Sequence, residues 1–421
     1  PMAASDTVLK PDFEAPRRHF IFSDEHEQLR ESIRAFAIRE LAPHADEWEE
    51  TTFPDWVFRR MGELGFLGLD KPEEYGGQGG DYYTSLVLAE ELVHANSGGL
   101  AMGIAVHTDM AMPPILAFGT EEQKRRFLRP LWTGEEIWCQ LFSEPGAGSD
   151  LANLATRAVR DGDEWIVNGQ KVWTSSAHNA RFAILVARTD PDKPKHAGLT
   201  YFVCDMTDPG VDVRPLRQIT GEAEFNEVFL TDVRIPDAYR IGEVGQGWRV
   251  ATATLNNERV AIGGRAAPRE SGMIGKVVEA WRSLPEKRTP ELHDRLLRLW
   301  VEAEVARLTG IRLRQKLAQG QPGPEGAATK VTFARINQQL SALELELRGE
   351  DGLRYSDWTM VRPEQVDMTG RDHGYRYLRA KGNSIEGGTS EVLRNIVAER
   401  VLGLPPEPRV DKDVPWKELQ R

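Results

Sequence analysis

Apolar residues recur at helical spacing through the first third of the chain. Leu29, Ile33, Phe36, Ala37 and Leu41 fall on one face of a helix that Ser23 is placed to cap and Pro43 to end. Trp56, Arg60, Met61 and Leu64 predict a second helical stretch closed by Gly65, and the glycine-rich residues 70–80 predict a loop. Helical spacing returns at 84–93 and 121–127. Around Cys139 the pattern shortens. Residues 164–173 carry Asn168-Gly169 between two strand-like runs, which predicts a tight hairpin turn at that dipeptide. Short apolar or alternating runs come next at 182–188, 199–206, 211–216 and 225–230. After Gly247 helical periodicity resumes and lasts to Leu404, with long stretches at 248–262, 292–317 and 329–347. A Gly- and Pro-rich loop, residues 319–326, separates the last two. The predicted fold class is α+β: an N-terminal helical domain (20–138), a middle β domain (139–247), an antiparallel C-terminal helical bundle (248–405) and a tail (406–421).

Composition narrows the function. With 421 residues, 40% of them hydrophobic, the chain can bury a large core and build two or three domains. A formal net charge of −12 argues against nonspecific nucleic-acid binding, which needs a basic face. It leaves room for an anionic ligand held by local basic residues. The two cysteines, Cys139 and Cys204, each lie in an apolar run, as expected for buried reduced thiols. With no signal-like N-terminal segment and no run of about 18 apolar residues, a cytoplasmic protein off the membrane is expected. The nine histidines show no metal-binding spacing, and no nucleophile elbow or Walker-type loop occurs.

Three motifs carry the chemistry. Residues 143–150 read SEPGAGSD, residues 171–176 read KVWTSS, and residues 386–395 read EGGTSEVLRN. In the first, Gly146 and Gly148 let the backbone approach a flat ligand where a β-carbon would clash. Ser143 and Ser149 offer hydroxyl or amide hydrogens. In the second, alternation along a strand puts Trp173 and Ser175 on one face. In the third, a helix beginning near Thr389 would bury Leu393, Ile396, Val397 and Val401. Its first amides would favour a polar or anionic ligand.

In this order the motifs resemble those of the acyl-CoA dehydrogenase family, flavin enzymes that desaturate acyl thioesters. The resemblance runs from near Phe20 to near Pro405, although Leu141 is larger than the small residue usual before the first motif. It implies an enzyme of fatty-acid metabolism in the manner of β-oxidation, with FAD as cofactor, an acyl-CoA substrate and an electron-transfer flavoprotein as acceptor. It also implies a homo-oligomer, a tetramer or a dimer. By the same resemblance, Ser143, Gly148, Ser149, Trp173, Ser175, Thr389 and Glu391 would bind FAD. Trp173 would shield the flavin and Ser175 would bond its hydride-accepting nitrogen.

The base is a choice between two glutamates. α-Proton removal suits a carboxylate whose pKa burial has raised. Many relatives carry it immediately before Gly-Thr-Ser, but here that position is Gly387. Glu386 stands one residue upstream and would serve only if the loop bulged at Gly387 and Gly388. Isovaleryl and long-chain relatives place the base on an earlier helix, before an arginine, and Leu255-Asn256-Asn257-Glu258-Arg259 resembles that pattern. Glu258 is therefore the expected base, Asn256, Arg259 and Ser149 substrate contacts, and Gly387 the backbone donor to the thioester carbonyl. Two departures stand out. An Arg-x-x-Phe-Gly element that holds the pyrophosphate in many relatives is replaced by residues 264–273 (GRAAPRESGM), and a Gly-Gly-x-Gly turn by Gly349-Glu350-Asp351-Gly352. Arg335 or Arg348 would have to substitute. The alternatives are an oxidase or monooxygenase of the same family, or a subunit that completes a partner's flavin site.

Overall fold

Ser23 starts the first helix, α1 (Asp24–Phe36), with a capping box: its side chain accepts from the His26 amide while the His26 side chain accepts from the Ser23 amide. Ile33, Phe36, Ala37 and Leu41 are buried as their spacing predicts, the last two on a π turn that continues past α1. They pack with α2 (Trp56–Glu63) and α3 (Tyr82–Glu91) in one apolar cluster. Gly65 closes α2 with a left-handed φ of 77°. Two more helices, α4 (Met112–Phe118) and α5 (Glu121–Trp132), lead into the sheet. The computed structural model describes residues 22–45, 48, 54–95, 100, 104, 107–108, 112–252, 254–255, 269–270, 272–317, 324–355, 358–360 and 372–419.

The strands are β1 (Trp138–Leu141), β2 (Arg157–Asp161), β3 (Glu164–Ser175), β4 (Phe182–Arg188), β5 (Leu199–Asp205), β6 (Val211–Pro215), β7 (Phe225–Pro236) and β8 (Arg240–Ile241). They form one sheet in the order β6-β7-β3-β2-β4-β5-β8, with β1 paired to β4. β4 is buried at every residue, between a cluster that α4 and α5 share and one made by the sheet's other face. The hairpin expected at Asn168-Gly169 lies elsewhere. β2 and β3 turn at Gly162-Asp163, and Asn168 and Gly169 sit inside β3. A Cβ on Gly169 would stand 2.3 Å from the Thr156 hydroxyl oxygen, so glycine here answers close packing. Asn168 exchanges side-chain hydrogen bonds with Asp232 across a register irregularity with β7.

Beyond the sheet come α6 (Met273–Ser283), α7 (Pro290–Leu317) and α8 (Gly326–Arg348), which share a core, then α9 (His373–Gly382) and α10 (Ser390–Ile396). The chain winds as a π turn at Val397–Val401 beyond α10, which rotates these residues off the predicted face. Leu393 is buried but Val401 is exposed. The tail then returns to the sheet, where Trp416 is buried, its indole N–H donates to the Asn153 carbonyl, and Arg188 stacks over its ring at 4.5 Å.

Candidate active site

The segment after β1 is held by a buried ion pair. The Glu144 carboxylate accepts the Ala155 and Thr156 amides at 2.6 and 2.9 Å and the Lys171 ammonium at 2.9 Å. Lys171 is fully buried and also donates to the Phe142 and Val186 carbonyls. Burial by itself would raise the Glu144 carboxyl, but the Lys171 charge and the hydrogen bonds it accepts keep it below the usual range. The Glu144 and Ala147 main chains bond each other in both directions. One glutamate thus fixes the shape of a turn whose outer residues, Gly146, Gly148 and Ser149, stay exposed. A Cβ on Gly146 or Gly148 would meet nothing within 4 Å, so the space above both is open to a ligand.

The same ion pair joins the first two motifs. Lys171 begins KVWTSS, and the Val172 amide donates to the Ser143 carbonyl at 2.9 Å. The pairing of β3 with β7 shifts register between Lys171 and Thr174, and Trp173 adopts a left-handed φ of 61°. The indole is 55% exposed and meets Phe225 edge-on, Thr174 is buried, and Ser175 is half-buried. Trp173 and Ser175 thus flank a buried Thr174, but the bulge and the left-handed Trp173 interrupt the regular strand alternation expected to put them on one face. Open space over two glycines, an outstanding indole and a half-buried hydroxyl suit a flat heteroaromatic ligand such as a flavin.

The third motif meets this surface from the helical side. Residues 383–389 link α9 to α10, and Gly387 and Gly388 both take left-handed φ values, 61° and 95°. Thr389 caps α10, accepting the Val392 amide at 3.2 Å. Glu391 is exposed and pairs with Arg394. The Glu386 carboxylate accepts Arg379 at 2.8 Å and the Asn383 side-chain amide at 2.8 Å. Burial would raise its pKa, but the Arg379 charge and hydrogen bond, Asn383 and the Lys330 charge together lower it. Opposite lies the segment leading into β7: Tyr375 donates to Glu222 at 2.6 Å, and buried Glu224 faces Arg379 and Glu386, its carboxyl raised by burial. Asn226 donates to the Thr174 carbonyl at 2.9 Å, which carries the connection back to Trp173 and Ser175.

Asn256, Glu258 and Arg259 lie outside the described residues, as does most of 264–273. The helix leading to them is present, with residues 247–252 helical and Val250 and Ala251 buried. The two arginines considered for the pyrophosphate have protein partners: Arg335 pairs with Glu302 at 2.7 Å and Arg348 with Glu344 at 3.1 Å. Gly349-Glu350-Asp351-Gly352 starts a 3-10 turn, with Gly349 at φ 59°. The sequence reading missed Glu144, Lys171, Lys330, Arg379 and Asn383. For the two lysines the signal was a charge set in an apolar run, Lys171 in a strand and Lys330 between Ala327 and Ala334 in a helix.

Family models for the acyl-CoA dehydrogenase N-terminal, middle and C-terminal domains match residues 23–135, 139–233 and 245–402. The chain belongs to the acyl-CoA dehydrogenase family. Membership makes it an oxidoreductase and implies flavin-dependent oxidation of an acyl-CoA. Acyl-CoA dehydrogenase FadE34 of Mycobacterium tuberculosis is 39% identical over 380 residues, covering 90% of this chain and 49% of that protein. The chain thus spans about half the length of that relative. Acyl-CoA dehydrogenase IpdE1 of the same organism is 38% identical over 352 residues, covering 83% of this chain and 87% of its own. Among solved structures, the ChsE4-ChsE5 complex from Mycobacterium tuberculosis matches with a TM-score of 0.76 at 29% identity, covering 93% of this chain and all of that one. Among the described residues of this family member, no helix is long and apolar enough to cross a membrane and no cluster of ligands suits a metal ion.

Proposed function

We propose that the chain catalyses FAD-dependent α,β-desaturation of an acyl-CoA thioester, with Glu258 taking the α-proton. The observation that carries this reading is the engagement of Glu386. Its carboxylate is ionised, held by Arg379 and Asn383, and is a weaker base than an ordinary glutamate. A bulged loop that would swing it to the substrate has to break this pairing. The proton is therefore assigned to Glu258.

FAD, when bound, supplies the hydride acceptor. Ser143, Gly148, Ser149, Trp173 and Ser175 would hold its ring from the sheet side, and Thr389 and Glu391 from the helical side. The Gly387 N–H donates to the thioester oxygen, where charge builds as the α-proton leaves; such a donor is worth roughly 3 kcal/mol. Asn256, Arg259 and Ser149 would contact the substrate. With Glu258 rather than a loop carboxylate as base, branched, bulky or long acyl chains are the proposed substrates.

Electrons then pass to an electron-transfer flavoprotein. Two buried free cysteines are consistent with a reducing cytoplasmic setting. Anaerobic mixing with a panel of acyl-CoA thioesters tests the reading. The flavin should bleach with some chains and an enoyl-CoA should accumulate; bleaching with none refutes it. Stoichiometric peroxide per turnover in air would instead identify an oxidase.

A further inference from the structure

The linker 383–389 contains two adjacent glycines, and a Gly-Gly peptide can rotate about its flanking torsions at little steric cost. Nothing in the glycines themselves sets where the Gly387 N–H points. Around them the chain is pinned. The Ser390 amide closes the loop on the Ser384 carbonyl at 3.0 Å, and the Glu386 amide bonds the Gly382 carbonyl at 3.0 Å. One group reaches both ends. Lys330, on α8 and 1% exposed, donates from its ammonium to the Asn383 carbonyl at 2.6 Å and the Gly388 carbonyl at 2.9 Å. Taking an ammonium out of water costs several kcal/mol. Here it is placed against main-chain oxygens on either side of the glycine pair, where charge-assisted bonds are about twice as strong as neutral ones. Asn337, two turns along the same helix, donates to the Asn383 side-chain oxygen at 3.3 Å and steadies the same anchor.

We propose that Lys330 is a positioning residue for the dehydrogenation: by clamping the Asn383 and Gly388 carbonyls it fixes the Gly387–Gly388 backbone, and so aims the Gly387 N–H at the thioester oxygen. The inference rests on the reading of Gly387 as that donor. Lys330 touches no reacting atom; it acts through the loop. Its removal frees the Gly388 carbonyl to rotate, and the donor spends part of its time misdirected.

The test uses the thioester that bleaches the flavin fastest in the panel above, labelled with carbon-13 at C1. It is bound to enzyme whose flavin has been chemically reduced beforehand, so that no turnover occurs. Difference infrared spectroscopy then reads the carbonyl stretch, which a hydrogen bond lowers. Wild-type enzyme should show a lowered stretch, Lys330→Met should return it toward the value in water, and Lys330→Arg should restore much of the lowering. In turnover, Lys330→Met should lose about tenfold or more in kcat with KM within about twofold, as expected when a donor worth 10²–10³ is only partly misaimed. If Lys330→Met does not fold, Lys330→Leu, which also lacks a donor, is measured in its place with the same expectation. A wild-type stretch that is not lowered refutes Gly387 as the donor. A lowered stretch that persists in Lys330→Met or Lys330→Leu, even with reduced thermal stability, overturns the positioning role and leaves Lys330 as packing.

Discussion

Gly388 shows how tightly single residues are specified in this site. Its φ of 95° belongs to glycine, and a Cβ there would stand 3.1 Å from a Leu393 methyl group. Gly388→Ala should therefore lower unfolding free energy by about 1–2 kcal/mol, the usual penalty of a left-handed L-residue, as measured by urea denaturation. His107 carries a second residue-level prediction. Its ring bonds the Leu131 carbonyl, yet burial pushes its pKa down to about 4 from an ordinary 6.5. Above pH 6.5 the imidazole is neutral in both states. As pH falls from 6.5 to 4 the unfolded chain takes up a proton that the folded protein refuses, so stability drops through that window. His107→Gln should flatten this part of the urea-midpoint profile; a profile unchanged by the substitution would refute the assignment.

At the scale of elements, the Glu144–Lys171 pair fastens β3 to the glycine turn. Lys171→Met leaves the Glu144 carboxylate buried without its cation, a loss of about 3–5 kcal/mol. The variant should melt earlier and release its flavin; a stable variant that keeps its colour would show the pair to be dispensable. Much of this level was legible in the sequence. The capped α1 and the long helices α7 and α8 follow from helical periodicity, and the strands β4 to β7 from short apolar or alternating runs bounded by turns. The hairpin turn was not legible, because Asn168-Gly169 has the chemistry of a turn but serves a close approach to Thr156. The residues that would touch a ligand, Trp173 and Gly387 among them, were visible as motifs. The buried charges that hold them were not, because their partners, side chains and carbonyls distant in sequence, are brought together only by folding.

At the scale of the molecule, two surfaces extend the reading. Leu297, Val301, Val305 and Leu308 lie at spacings of four, four and three along α7, and each is 51–57% exposed. A stripe of this kind is a candidate face for packing against a second copy of the chain. If copies associate through it, Val301→Asp should shift sedimentation toward a smaller species; an unchanged sedimentation coefficient would rule out α7 as an interface. The C-terminal tail is the other surface. Lys195 bridges Asp150, the last residue of SEPGAGSD, and Asp411 of the tail, while Trp416 docks under Arg188. Trp416→Ala should cost about 3 kcal/mol by analogy with buried tryptophans and weaken flavin retention, read by melting and by absorbance after gel filtration.

The assignment of the base separates the proposed chemistry from its rivals. Stopped-flow bleaching of the flavin under anaerobic conditions, with the best thioester of the panel, compares native enzyme with Glu258→Gln and Glu386→Gln. Loss of a general base slows proton abstraction by about 10²–10⁴. Glu258→Gln should fall in that range, and Glu386→Gln should bleach at a reduced but measurable rate with a lowered melting temperature, since its partner Arg379 is left buried. If Glu258→Gln bleaches as fast as native enzyme while Glu386→Gln is inert, the proton goes to the loop and the assignment of the base is wrong.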